Sequence, residues 1–238
     1  METLNVSQTG RVATVTLDRP DVRNAFNDQV VVELTRVFRE MDESVQVVVL
    51  EGVGKSFCAG ADLNWMKKSA TYTQEQNADD ARAMLGLFDA IDSFAGVVIG
   101  RVHGAALGGG FELALACDLR LAAEEAQMGL PEGRLGLVPG AGGTQRLTKI
   151  CGPGIASRII LTCEIVTGET ACDLGMVQWT ESKSSLKEAA LAASKIYIAA
   201  VNIPTKDGFK EEVTATQRLI ETEDTRNRVT RFLEQNLN

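Results

Sequence analysis

The strongest constraint on the fold is the placement of three short apolar runs, at residues 45–50, 97–102 and 119–123. A strand with one wet face alternates apolar and polar side chains, whereas a strand covered on both faces reads as a nearly continuous apolar stretch. Helical spacing fills the intervals. Residues 27–40 carry Val30, Val31, Leu34, Val37 and Phe38 on one stripe, continued by Met41, and residues 75–94 form a second helical stretch. Strands alternating with helices predict an α/β fold around a buried, largely parallel sheet. Ahead of them, alternating segments at 4–7 and 11–17 flank Thr9-Gly10 and predict a hairpin.

After about Gly142 the pattern turns almost wholly helical, at 143–150, 154–162, 168–174 and 186–199, with two polar helices at 208–220 and 224–237. This change of texture predicts a core domain followed by a helical appendage, divided here at 1–185 and 186–238.

The charge balance narrows the function. The net charge is −8 and the pI about 4.9, which disfavours nucleic acid and anionic membranes as partners. A phosphate-bearing ligand stays compatible, because a few local cations and backbone N–H groups suffice to hold one. The five cysteines are dispersed, none forms a C-x-x-C pair, and His103 is the only histidine. This argues against a metal site and for free thiols in a reducing compartment. No apolar run reaches membrane-spanning length, and no leader is visible. The expected location is the cytoplasm, although a mature protein of an organellar matrix would read the same way.

Several motifs point elsewhere and fail on spacing. Residues 47–56 resemble a strand entering a P-loop, but the pattern needs glycine at Val49, and Phe57-Cys58-Ala59-Gly60 follows instead of a helix. The glycine clusters at 104–110 and 140–143 lack a dinucleotide fingerprint after a strand. A serine triad would have to use His103, which reads better as a packed or edge residue. Cys58 has no assignable base and reads as an inert buried thiol.

Two glycine-bearing segments, 56–62 and 103–113, each follow a buried run directly. Glycine permits close backbone approach, and two N–H donors, one from each loop, are what an enolate oxygen requires. Glu112 lies two residues past Gly108-Gly109-Gly110, and Glu132 lies in Gly129-Leu130-Pro131-Glu132. Taken alone, each glycine cluster reads as a tight turn, and each glutamate as an ordinary helix-start or turn residue.

Together they resemble a known family. Arg19-Pro20 with Arg23-Asn24-Ala25, then Phe57 to Asp62 (FCAGAD), Leu107 to Leu113 (LGGGFEL), Cys117-Asp118 and Pro139 to Leu147 (PGAGGTQRL) occur in that order. The chain, from about residue 4 to about residue 180, resembles the enoyl-CoA hydratase/isomerase (crotonase) family. The resemblance implies a ββα spiral core with C-terminal helices that join copies into trimers or dimers of trimers. It implies oxyanion donors at the N–H groups of Ala61 and Gly109, with Glu112 as base and Glu132 as acid. It also implies a coenzyme-A path along Arg23, Ala25, Ala59, Ala61, Asp62, Leu63, Asn64 and Gly109.

The pair of glutamates matches the hydratase branch, which adds water to an α,β-unsaturated acyl-CoA with no cofactor beyond the coenzyme A of the substrate. Isomerases and non-catalytic acyl-CoA-binding relatives are the alternatives. Ala61 to Met66 (ADLNWM) resembles the methylglutaconyl-CoA hydratases of leucine breakdown; the RNA binding linked with one branch gains no support from the charge. The segment 186–207 is shorter than the family's usual helical segment, which bears on pocket depth and oligomeric state.

Overall fold

The computed structural model describes residues 1–201. One compact unit runs from Met1 to Ser194 and a second begins at Lys195. The appendage expected over 186–238 therefore falls largely outside the described residues, and the helices expected at 208–220 and 224–237 fall wholly outside them.

The chain opens with β1 (Leu4–Thr9) and β2 (Val12–Leu17), an antiparallel pair that places Val6 opposite Val15. Gly10 turns between them at φ 59°, a conformation that favours glycine. Helix α1 (Asp28–Arg39) starts where Asn27 accepts the Val30 N–H at 2.9 Å, relieving one of the unpaired donors of a first turn. Its apolar stripe is buried, and so is Glu33.

Strand β3 (Val47–Gly52) pairs parallel with β2, Val15 opposite Leu50. It begins two residues later than the apolar run, because the register is set by Val12 opposite Val47. After α2 (Leu63–Ser69) and α3 (Gln74–Asp92), whose Thr73 and Gln76 form a reciprocal cap, β4 (Val97–Val102) pairs with β3. Next come β5 (Ala105–Leu107), α4 (Gly109–Ala116), β6 (Leu119–Ala123) and β7 (Gln127–Gly129). Helix α5 (Gly143–Thr162), β8 (Val166–Thr167), α6 (Gly168–Asp173), β9 (Trp179–Glu181) and α7 (Leu186–Val201) follow.

Among the described residues the strands form a six-stranded sheet, ordered β1-β2-β3-β4-β6-β9, and a three-stranded sheet, ordered β5-β7-β8. All pairs of the larger sheet beyond β1–β2 are parallel, in line with the prediction from the apolar runs. The region after Gly142 is not wholly helical, since β8 and β9 close the two sheets there. With two and three residues, they are too short to show a period. Helix α5 is broken at Gly152 (φ 80°, ψ 164°), just before Pro153, so the two helices expected at 143–150 and 154–162 are its two halves.

Phe26, Phe57, Phe88 and Phe111 are fully buried. Each contributes about 1.5–3 kcal/mol relative to exposure. The N-terminus is tied to this core by Glu33, which accepts the N–H groups of Glu2 at 2.9 Å and Thr3 at 3.0 Å, the Thr3 hydroxyl at 2.7 Å and Gln29 Nε2 at 2.8 Å. Burial raises the Glu33 carboxyl, but these donors outweigh it and bring it down to about 2.

Candidate active site

Two loops meet at the C-terminal ends of β3 and β4. The first is aligned on the second by backbone bonds: Phe57 N–H to His103 O at 2.7 Å, Cys58 N–H to Ala105 O at 3.0 Å, and Leu107 N–H to Cys58 O at 3.1 Å. This packing is possible only without side chains. A Cβ on Gly110 would lie 2.1 Å from Cys58 O, and one on Gly60, where φ is 100°, would lie 2.8 Å from Leu107 O.

The two expected donors lie at this junction. Phe26 N–H bonds Gly60 O at 2.8 Å and Asp62 N–H bonds Phe26 O at 2.7 Å. In that parallel bridge the N–H of Ala61 points away from Phe26. Gly109 is the first residue of α4, so its N–H has no acceptor within the helix. The same Cβ position on Gly60 lies 3.9 Å from Gly109 N, which puts the Ala61 and Gly109 loops side by side.

Glu112 is buried in the first turn of α4. Its Oε1 accepts two backbone N–H groups, from Ala141 and Gly143, each at 2.8 Å. Gly143 is also the first residue of α5, whose positive helix end favours an anion. A Cβ at Gly143 would lie 2.8 Å from that same oxygen, so glycine is what lets the helix end reach the carboxylate. Burial raises the Glu112 carboxyl, opposed by the Gly143 and Ala141 N–H groups and by the positive charge of Arg146.

Glu132 sits in the 3₁₀ turn Pro131–Leu135. Its Oε2 is buried and has no hydrogen-bond partner among the described residues, while its Oε1 lies 3.2 Å from where a Gly108 Cβ would be. Burial raises this carboxyl, and the negative charge of Glu112 raises it further. The turn is clamped from behind: Arg134 Nη2 donates to Cys163 O at 2.7 Å, and Gly108 N–H bonds Gly129 O at 3.0 Å. The apolar Leu135 at its end and Val138 beyond it are 66% and 78% exposed.

The expected coenzyme-A residues divide into two groups. Arg23, beside the first loop, Ala61 within it and Leu63 and Asn64 at the start of α2 are exposed, while Ala59 in the loop and Gly109 at the start of α4 are half-buried. Ala25 and Asp62 are buried and brace the loop through Arg19, which donates to Ala25 O at 2.6 Å and to Asp62 Oδ2 at 2.8 Å. Asp62 also caps α2, accepting the Asn64 N–H at 2.8 Å. Asn24 (φ 56°), quoted in the sequence only as a motif residue, holds the turn by donating to Val53 O at 2.9 Å and Ser56 O at 2.8 Å.

The sequence alone marks no role for Ala141, Gly143 or Arg146. The run Gly140-Ala141-Gly142-Gly143 was the available signal, since glycine before a helix permits the approach of another group. The misleading residues are explained by packing. His103 is buried with Nε2 3.2 Å from Gly54 O, and burial pushes the Cys58 thiol up to about 12.

The family model described as enoyl-CoA hydratase/isomerase matches residues 7–236, and the chain belongs to that family. It is 36% identical to the short-chain-enoyl-CoA hydratase of Clostridium acetobutylicum, over 98% of this chain and 96% of that one. It is 40% identical to the 2,3-dehydroadipyl-CoA hydratase of Escherichia coli, over 82% of this chain and 76% of that one. Among solved structures, a "putative enoyl-CoA hydratase" of Thermobifida fusca in complex with CoA superposes with a TM-score of 0.78 at 29% identity, over 98% of this chain and 91% of that one.

Proposed function

We propose that the protein adds water across the α,β double bond of an enoyl-CoA thioester, with Glu112 as base, Glu132 as acid and the N–H groups of Ala61 and Gly109 as the oxyanion hole. The observation that carries this reading is the unlike setting of two neighbouring carboxylates. Glu112 accepts two N–H bonds that favour its anion, whereas Glu132 has a buried oxygen with no partner among the described residues, beside that anion. Burial raises both carboxyls, and their unlike hydrogen bonding supports unlike roles as base and acid. Relatives named as enoyl-CoA hydratases, at 36–40% identity, support the same activity.

In this mechanism the thioester oxygen takes the two backbone N–H bonds, and the β-carbon becomes electrophilic. Glu112 accepts a proton from water as its oxygen bonds that carbon. Glu132 gives its proton to the α-carbon as the enolate collapses. The carboxyls end in exchanged protonation states and are reset by proton transfer through solvent. General acid–base help is worth about 10²–10⁴-fold, and one oxyanion donor about 10²–10³-fold. The scheme uses neither a metal nor a redox group. Coenzyme A enters as part of the substrate, along the exposed stretch Arg23, Ala61, Leu63 and Asn64, and Leu135 and Val138 offer apolar surface to the acyl chain. Assembly as a trimer or dimer of trimers, in the cytoplasm, completes the reading. Among the described residues, no helix is long and apolar enough to cross a membrane.

The test is a panel of straight, branched and dicarboxylic enoyl-CoA substrates followed by mass spectrometry. A gain of one water is expected, together with its loss in a Glu112→Ala, Glu132→Ala double variant. Full activity in that variant overturns the assignment of roles. Deuterium incorporation without water gain identifies an isomerase instead.

A further inference from the structure

Arg146 lies one turn into α5 and touches three groups at once. Its Nη1 donates to Ala141 O at 2.8 Å, its Nη2 pairs with Asp92 at the end of α3, and its guanidinium stands 5.1 Å from the centre of the Phe88 ring. Ala141 is itself one of the two residues whose N–H groups hold Glu112. The peptide run 141–143 is therefore gripped at a carbonyl by Arg146 while it presents its N–H groups to the carboxylate.

We infer that Arg146, pinned by Asp92 and Phe88, is the positioning residue that fixes the Ala141–Gly143 N–H pair on Glu112 and keeps that glutamate a base. This inference rests on the proposed hydration only for its kinetic arm. The guanidinium does not touch Glu112; it acts through Ala141 and through its charge. A planar fork suits the task, since it bonds the carbonyl with one nitrogen and the Asp92 carboxylate with the other, and it also lies against an aromatic face. A lysine offers one point charge and cannot span the same partners. The charged groups that bear on Glu112 are Arg146 from α5 and Glu132 from the 131–135 turn. Arg146 in turn faces Asp92 from α3.

The experiment reads the protonation of Glu112 directly, by difference infrared spectroscopy of the carboxyl band, assigned by its absence in Glu112→Gln. In Arg146→Gln the Glu112 midpoint is expected to rise, because a favourable charge and a braced donor pair are lost together. The acid limb of kcat/KM should move to higher pH with it, and kcat should fall about 10- to 100-fold at little change in KM, the cost of a misplaced catalytic group. Arg146→Lys should keep the midpoint near that of the native protein and recover part of kcat.

A purely structural arginine would lower the amount of folded protein and leave both midpoint and limb in place; that result overturns the inference. A lysine variant whose Glu112 midpoint rises as far as in the glutamine one also overturns it. If Arg146→Gln does not fold, Asp92→Asn decides, with a fall in kcat at unchanged KM expected and native kcat contradicting the pinning. If the native protein hydrates no enoyl-CoA, the proposed reaction fails while the infrared midpoint still decides the role of Arg146.

Discussion

Glu112 accepts two N–H bonds on one oxygen, whereas Glu132 has a buried oxygen unpaired among the described residues. The expected consequence is a bell-shaped pH dependence of kcat/KM. The acid limb marks loss of the Glu112 anion and lies above the ordinary carboxylate range, because burial is only partly offset. The basic limb marks loss of the Glu132 proton, delayed by burial and by its negative neighbour; both limbs belong to the coupled pair. Stability should show the same asymmetry. A carboxyl raised in the folded state favours folding at low pH and disfavours it as pH rises through the folded value. Glu132→Gln should therefore raise the melting temperature at pH 7, by about 1 kcal/mol of stability, with the gain vanishing near pH 4, while kcat falls about 10²–10⁴-fold. Thermal melts at the two pH values check it. The two glutamates were visible in the sequence only through the resemblance. What makes them unlike comes from Ala141 and Gly143, 29 and 31 residues beyond Glu112, and no local pattern encodes so distant a contact.

Elements differ in how plainly they are written. The buried strands β3, β4 and β6 and the helices α1 and α3 show a period or an apolar run, and the sequence reading found all five. Strands β5, β7, β8 and β9 have two or three residues each; they exist because neighbouring loops align them. The same alignment makes certain glycines indispensable. Gly110→Ala would drive a methyl group to 2.1 Å from Cys58 O and is expected to separate the Ala61 and Gly109 loops, abolishing measurable turnover or soluble folded protein. Gly10→Ala meets nothing within 4 Å at φ 59°. It should cost only the left-handed backbone strain of about 1–2 kcal/mol and leave kcat unchanged. Comparing the two variants by turnover and by melting separates close approach from simple strain.

Across the whole molecule, the parallel sheet was legible because its strands are covered on both faces, whereas the second sheet and the tie at the N-terminus were not. That tie depends on Glu33, which looks like a polar interruption of the α1 stripe until Glu2, Thr3 and Gln29 are seen converging on it. With its carboxyl brought down to about 2 from an ordinary 4.5, Glu33 stabilises the fold fully above the ordinary value. The contribution is lost as pH falls toward the lowered one. Denaturant titrations of Glu33→Gln against the native protein should show their widest gap near neutrality, closing below about pH 2. A gap that persists in strong acid would show that packing, not charge, holds the N-terminus.

The break in α5 has a reach that its own surroundings conceal. Among the described residues no atom lies within 4 Å of a Cβ placed on Gly152, so by steric criteria any small residue is welcome there. Yet φ 80° with ψ 164° belongs to a region open in practice to glycine alone. The half of the helix before the break ends on the N–H groups that hold Glu112, and the half after it ends at Cys163, to which the Glu132 turn is clamped. Gly152 is thus the elbow of a caliper whose jaws are the base and the acid. A substitution that touches nothing would reset the gap between them, and Gly152→Ala should be recognised by lost turnover in a protein whose core is intact.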